Sequence, residues 1–402
     1  MKSFLLQKTL PLLLAFIVLL IPRLSLSQDE GVLLPEDPLK GRIVFEKKGC
    51  VKCHAVFGYG GKSGPDLGHY KFFGSLLDLA GVMWNHSPQM NQKMVQSELM
   101  WPQFTEEEML ELLSYIYFLP YLGDVGDAKN GEKLLKNKGC LNCHSLGGKG
   151  GKEAIDLSAL GRYASPLYMA QTMWNHLPSM EEQMQTTASR PPHLTGKEMV
   201  DISTFIRQVN PKAAREKIYM SPGNPKKGKQ LFAQKGCASC HVTSGSKEGA
   251  APDLTHSNLR KSVLEIAAVL WNHGSEMLKV MHDKKMEFPR FEGSEMADLM
   301  AYLYFLTSTN EEGDPARGEK LFKDKGCISC HDTRGNEQLI GPSVKEMSSH
   351  LTPISLVQSM WNHAGIMKVR MLEQDLPWPT FKKGDMKDLN AYFKSVRERG
   401  KK

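Results

Sequence analysis

The chain has 402 residues, of which 41% are hydrophobic and 24% charged, with a formal net charge of +7. That balance belongs to a globular protein, excludes a disordered or fibrous one, and allows two to four domains. The lysines are scattered and lack interleaved aromatic residues, which argues against a nucleic-acid partner.

From the start of the chain, Met1–Ser27 reads as a secretory signal peptide. Lys2 and Lys8 form a basic start, Leu10–Ile21 an apolar core with one proline, and Ser25-Leu26-Ser27 a small-residue exit before Gln28. An apolar core of about 12 residues is short for a bilayer span. Cleavage would lower the net charge to +4, leave no transmembrane span and give an exported, periplasmic protein. No cysteine near the exit suggests a lipid anchor.

The eight cysteines form four pairs, each followed at once by histidine. They are Cys50, Cys53 and His54; Cys140, Cys143 and His144; Cys237, Cys240 and His241; Cys327, Cys330 and His331. The pairs start 90, 97 and 90 residues apart, which marks an internal repeat. Every copy opens with a Gly…Phe/Leu…Lys-Gly lead-in: Gly41, Phe45 and Lys48; Gly131, Leu135 and Lys138; Gly228, Phe232 and Lys235; Gly318, Phe322 and Lys325. A Gly-Pro-Asp-Leu-like turn follows the histidine by eleven residues, at Pro65, Ile155, Pro252 and Pro342. An apolar helical stretch then ends in Trp-Asn-His, at Trp84, Trp174, Trp271 and Trp361. An amphipathic helix around Tyr115, Phe205, Tyr302 and Tyr392 closes each copy. Apolar residues there recur every three or four positions, and no strand-like alternation appears, so the expected class is all-α.

Two thiols two residues apart with an adjacent histidine is the attachment pattern of a c-type heme. Each thiol adds to one vinyl group, so the sulfurs must lie about one helical turn apart, and the next residue projects beneath the ring as proximal iron ligand. A redox dithiol or half a zinc site would satisfy one such motif. Four copies on one template point to four covalent hemes c.

Each copy resembles a class I cytochrome c domain, and the resemblance covers about residues 39–400. It implies four tandem helical domains at 28–124, 125–211, 225–310 and 311–402, with a linker at 212–224. The short links Gly123–Asp127 and Ser308–Asp314 suggest two diheme pairs, copies one with two and three with four, around a flexible central joint. By the same likeness, carbonyls near Pro65, Pro252 and Pro342 would accept the proximal histidine's free N–H, and Phe45, Phe232 and Phe322 would pack on Tyr115, Tyr302 and Tyr392.

The likeness also implies a methionine as distal ligand just before a Pro-x-Phe segment. Trp101, Phe288 and Trp378 stand there instead, and copy two lacks the segment altogether. The favoured ligands are therefore Met94, Met184, Met281 and Met371, which lie 40 residues after the proximal histidine; the second choice is Met90, Met180, Met277 and Met367. A third candidate is the Trp-Asn-His histidine: His86, His176, His273 or His363. Their tight 32-residue span from the proximal histidine puts them at the end of the middle helix, where capping and solvent contact suit a histidine better, and the adjacent tryptophans suit packing on the porphyrin, donation to a propionate or simple core packing. His69, His193, His256, His282 and His350 do not recur in register and read as surface residues.

The expected function is electron transfer between redox protein partners, or within a membrane-bound oxidoreductase complex. The alternative is a heme enzyme or gas-binding protein with one open iron. No acid–base dyad or nucleophile triad recurs to suggest catalysis.

Overall fold

The computed structural model describes residues 34–70, 72, 74–122, 126–162, 165–187, 189–209, 223–243, 250–255, 262–309, 312–332, 340–348 and 351–399. The proposed signal peptide, most of the 212–224 linker, His256 and His350 lie outside them. Helices dominate, in line with the all-α expectation. The exceptions are two tiny hairpins just after the first two attachment motifs, pairing Ala55–Val56 with Tyr59–Gly60 and Ser145–Leu146 with Lys149–Gly150.

Each copy is built from three main helices. The entry helices are Gly41–Lys47, Ala128–Asn137, Pro225–Gln234 and Pro315–Asp324. The last three are capped by Asp127, Asn224 and Asp314, whose side chains accept backbone N–H groups that the first turn leaves unpaired. The middle helices are Pro166–Thr186, Val263–Asp283 and Pro353–Glu373; in copy one the helix is split into Leu76–Asn85 and Ser87–Gln96. All start on a hydroxyl cap, at Ser75, Ser165, Ser262 or Thr352. The closing helices are Glu106–Leu122, Gly196–Val209, Glu295–Thr309 and Asp385–Arg399.

Entry and closing helices cross at a glycine. A Cβ on Gly41, Gly131, Gly228 or Gly318 would run into the backbone carbonyl of Glu111, Asp201, Asp298 or Asp388 on the closing helix. One turn on, Phe45 meets Tyr115, Phe232 meets Tyr302 and Phe322 meets Tyr392, with ring centroids 5.9, 5.7 and 5.7 Å apart. The glycine lets the backbones touch and the aromatic pair fills the widening gap.

The copies do not pair in chain order. Copy one docks on copy four, and copy two on copy three, through reciprocal contacts. Trp84 Nε1 donates to Pro379 O (2.8 Å), and Trp361 Nε1 donates back to Pro102 O (3.0 Å). Trp174 Nε1 likewise donates to Pro289 O (2.7 Å), and Trp271 Nε1 to Pro192 O (2.8 Å). The next asparagine spans the same loop from both sides: Asn85 donates to Phe381 O and accepts from Phe381 N, at 2.8 and 2.7 Å. Asn175, Asn272 and Asn362 do the same on Phe291, Leu194 and Phe104. Stacked rings seal the joints, with Trp84 on Trp378, Trp361 on Trp101 and Trp174 on Phe288, each 4.5 Å apart. The tryptophans thus bind the partner copy's backbone, not a propionate as one reading of the sequence had it.

Copy two does own the loop that it seemed to lack. Pro191-Pro192-His193-Leu194 sits at the offset from Trp174 that separates Trp84 from Trp101, with proline replacing the aromatic residue. The expected pairing by short linkers fails because all four copies carry the same donor and acceptor groups, so local chain length does not select the partner. Size does so at the residue after the histidine. Leu177 is wholly buried, and a Cβ on the facing Gly274 would lie 2.5 Å from its Cδ2; in the other pair the equivalents are the small Ser87 and Ala364. The two pairs meet where the closing helices of copies one and three touch: Tyr304 Oη donates to Tyr117 O (2.8 Å), with their rings 4.9 Å apart. Replacing Gly274 with leucine should overpack the joint between copies two and three and lower stability by about 1–3 kcal/mol; the urea unfolding midpoint reads it, and an unchanged midpoint would show that the joint is loose.

Candidate heme sites

Each attachment motif starts at a glycine whose backbone suits few other residues. Gly49, Gly139, Gly236 and Gly326 have φ of 81°, 78°, 81° and 78°, the left-handed region open to glycine. The turn that follows is closed by His54 N donating to Cys50 O (2.9 Å), with equivalent bonds of 3.0, 2.9 and 2.9 Å in the other copies. That single turn sets the two sulfurs and the imidazole on one side, as heme attachment requires. The first cysteine of each pair packs against the core, and burial pushes the thiols of Cys50, Cys237 and Cys327 up to about 11 and that of Cys140 upward.

The proximal imidazoles are held in one tautomer. Nδ1 of His54, His144, His241 and His331 lies 3.1, 2.9, 3.1 and 3.0 Å from the carbonyls of Pro65, Ile155, Pro252 and Pro342. A carbonyl only accepts, so Nδ1 carries the hydrogen and Nε2 keeps the lone pair that binds a metal. Ile155 serves as well as proline because the contact is to backbone. The loop is fitted to the ring, since a Cβ on Gly64 or Gly341 would stand 2.6 Å from the His54 or His331 imidazole. In copies one and two an aspartate braces that loop. Asp66 accepts from the N–H groups of Phe57, Gly58 and Gly68, and Asp156 from those of Gly147, Gly148 and Ser158.

A brace absent from the sequence reading links the motif to the Pro-x-Phe loop. Lys48, Lys138, Lys235 and Lys325 donate to the carbonyls of Gln103, His193, Arg290 and Thr380, at 2.7, 2.7, 2.8 and 2.5 Å. Each also pairs with an acid, respectively Glu108, Glu198, Glu295 and Asp385. The Lys48 ammonium holds the Glu108 carboxyl below its usual value. The signal was present, as a Lys-Gly-Cys in all four copies. We expect Lys235→Met to cost about 1–2 kcal/mol by urea unfolding and Lys235→Arg clearly less, since arginine can still donate; equal losses would show the contact to be mere packing.

Of the distal candidates, Met90, Met180, Met277 and Met367 are half-buried against the core. Met94, Met184, Met281 and Met371 lie in the last turn of the middle helix, where their carbonyls accept from the N–H groups of Leu99, Ser189, Met286 and Leu376. In copies one and two the Trp-Asn-His histidine lies beside the proximal one. In copy two the His144 and His176 ring centroids are 6.3 Å apart. Burial, with the neighbouring His54 or His144, pushes His86 and His176 below the ordinary histidine value.

His69 and His282 lie exposed beside Asp66 and Asp283, and His193 contributes its carbonyl to Lys138. Among the described residues no other cluster of three or more His, Cys, Asp or Glu side chains forms a metal site, and no helix is long and apolar enough to cross a membrane.

The cytochrome c family model matches three stretches in tandem, residues 128–210, 225–306 and 315–397. No curated protein and no solved structure matches the chain. The first copy lies outside the matched stretches, yet it shares their motif, helix order and histidine–carbonyl bond. With more than half its length matched, the chain belongs to the cytochrome c family and is a heme-binding electron-transfer protein.

Proposed function

We propose that the protein is an exported tetraheme cytochrome c that relays electrons between redox protein partners or within a membrane-bound oxidoreductase complex. The observation that carries the count is the recurrence, four times, of one attachment turn with one histidine–carbonyl bond. Copy one has these as fully as the three copies that the family model matches. Cys50, Cys53, Cys140, Cys143, Cys237, Cys240, Cys327 and Cys330 would hold the four hemes by thioether bonds. His54, His144, His241 and His331 would bind the irons from the proximal side.

When bound, heme supplies reversible one-electron chemistry at iron. The chain's residues fix each site and shield it: the carbonyls orient the proximal imidazoles, and the copy–copy joints pack the middle helices together. Contacts between copies run four to one, one to three and three to two, which supports a relay in that spatial order. The hydrophobic start supports export, and the positive charge suits an acidic docking partner. The similarity of all four sites favours electron relay over the alternative of one open, catalytic heme.

Intact mass and a pyridine hemochrome assay of the matured protein should give four hemes per chain, and three or fewer would refute the count. His241→Ala should disturb one heme and leave three near normal. Loss of all four would contradict separate sites.

A further inference from the structure

We propose that the second axial ligand of each iron is the histidine of Trp-Asn-His, namely His86, His176, His273 and His363, which makes all four hemes bis-histidine. This rests on the heme attachment proposed above and goes beyond it in naming the atom opposite the proximal imidazole.

The first reason is separation. Two imidazoles sharing one iron through bonds of about 2 Å have ring centroids about 6.3 Å apart once the ring radius is added. His144 and His176 already stand at 6.3 Å. The second reason is the tautomer. Nδ1 of His86, His273 and His363 lies 3.1, 2.9 and 2.8 Å from the carbonyls of Val82, Val269 and Ser359, one turn back in the same helix. As on the proximal side, the carbonyl takes the Nδ1 hydrogen and leaves the Nε2 lone pair for metal.

The third reason is direction. Trp84, Trp174, Trp271 and Trp361 face the partner copy, as their hydrogen bonds require. In copies two, three and four, where the helix is unbroken, two residues later it has turned about 200°, which carries the histidine away from the partner copy and toward its own.

Two of the methionine places are unsuited. The position just before Pro-x-Phe is filled by Trp101, Phe288 and Trp378, which stack on a partner tryptophan, and by Pro191 in copy two. Met184 lies eight residues beyond His176, a rise of about 12 Å along the helix. Sulfur there lies beyond the gap between the His144 and His176 rings, whereas Met180, one turn from His176, is packed half-buried against the core. Without a thioether ligand, the potentials fall below those of methionine-ligated cytochromes c.

The test uses the full matured chain, with heme number fixed first by the pyridine hemochrome assay so that a failure of attachment is seen separately. Near-infrared magnetic circular dichroism of the oxidised protein should show only the bis-imidazole charge-transfer band. The far-red sulfur-to-iron band should be missing, and the reduced protein should not bind carbon monoxide. A sulfur band with the intensity of even one heme would overturn the assignment for that copy. As a second measurement, reduced His176→Ala should bind one carbon monoxide per chain, while Met180→Leu and Met184→Leu should bind none. Carbon monoxide binding gained by either methionine variant would overturn the proposal for copy two. If His176→Ala loads only three hemes, the wild-type dichroism decides alone.

Discussion

Gly228→Ala should cost copy three its native helix crossing. The added Cβ has no free space, because it falls within the Asp298 carbonyl and only 2.7 Å from the Tyr302 Cβ. Both obstacles belong to the closing helix, so neither can swing aside as a flexible side-chain tip would. The helices must separate, and the Phe232–Tyr302 contact at 5.7 Å opens with them. The loss should reach about 3 kcal/mol, the upper part of the overpacking range. Urea unfolding with heme absorbance as one probe and far-ultraviolet dichroism as the other measures it. Gly365→Ala is the control: nothing lies near its would-be Cβ, and it should be neutral or stabilising, since alanine is the better helix former. Equal effects at the two glycines would refute the crossing as the cause.

Trp361→Ala should open the joint between copies one and four. Trp361 is 6% exposed, stacks on Trp101, meets Phe104 edge-on and donates to Pro102 O. Removing a buried indole of this kind costs about 3–5 kcal/mol. Trp361→Phe keeps most of the packing and loses the N–H, leaving the Pro102 carbonyl unpaired, so it should cost about 1 kcal/mol. Copy four, released from copy one, should become the first region cut by limited proteolysis, while heme number stays unchanged. Unchanged proteolysis with Trp361→Ala would show that the pairing adds little.

The local chemistry of this protein was legible because it depends on neighbours in sequence. A Cys-x-x-Cys-His turn closes on itself, so the motif alone predicts the sulfur spacing and the proximal imidazole. The family resemblance pointed to the carbonyls near Pro65, Pro252 and Pro342, and the structure adds that of Ile155. The Phe–Tyr crossings followed from the family resemblance and appear in copies one, three and four. The lysine brace went unread although its lysine recurs, because its acceptor is a backbone carbonyl 55 residues away and carbonyls have no sequence signature.

The distal side was harder to read for a related reason. Counting residues from the proximal histidine measures chain length, and that favoured Met94, Met184, Met281 and Met371. Reach in space depends on the path of the chain. A helix rises only about 1.5 Å per residue, so the proposed histidine assignment rests on the direction of the helix and the side occupied by the partner copy, not on chain length.

The sequence by itself determined the helical class and the family, and it carries the candidate attachment motif four times, since each is written in repeated short-range spacing. Only the tertiary structure decided which copies are neighbours. Trp-Asn and the loop that it grips are present in every copy, so hydrogen bonding permits any pairing. Matched bulk at Leu177 and Gly274, with small residues at Ser87 and Ala364, suits two with three and one with four, and shape complementarity of that kind exists only once the surfaces face each other.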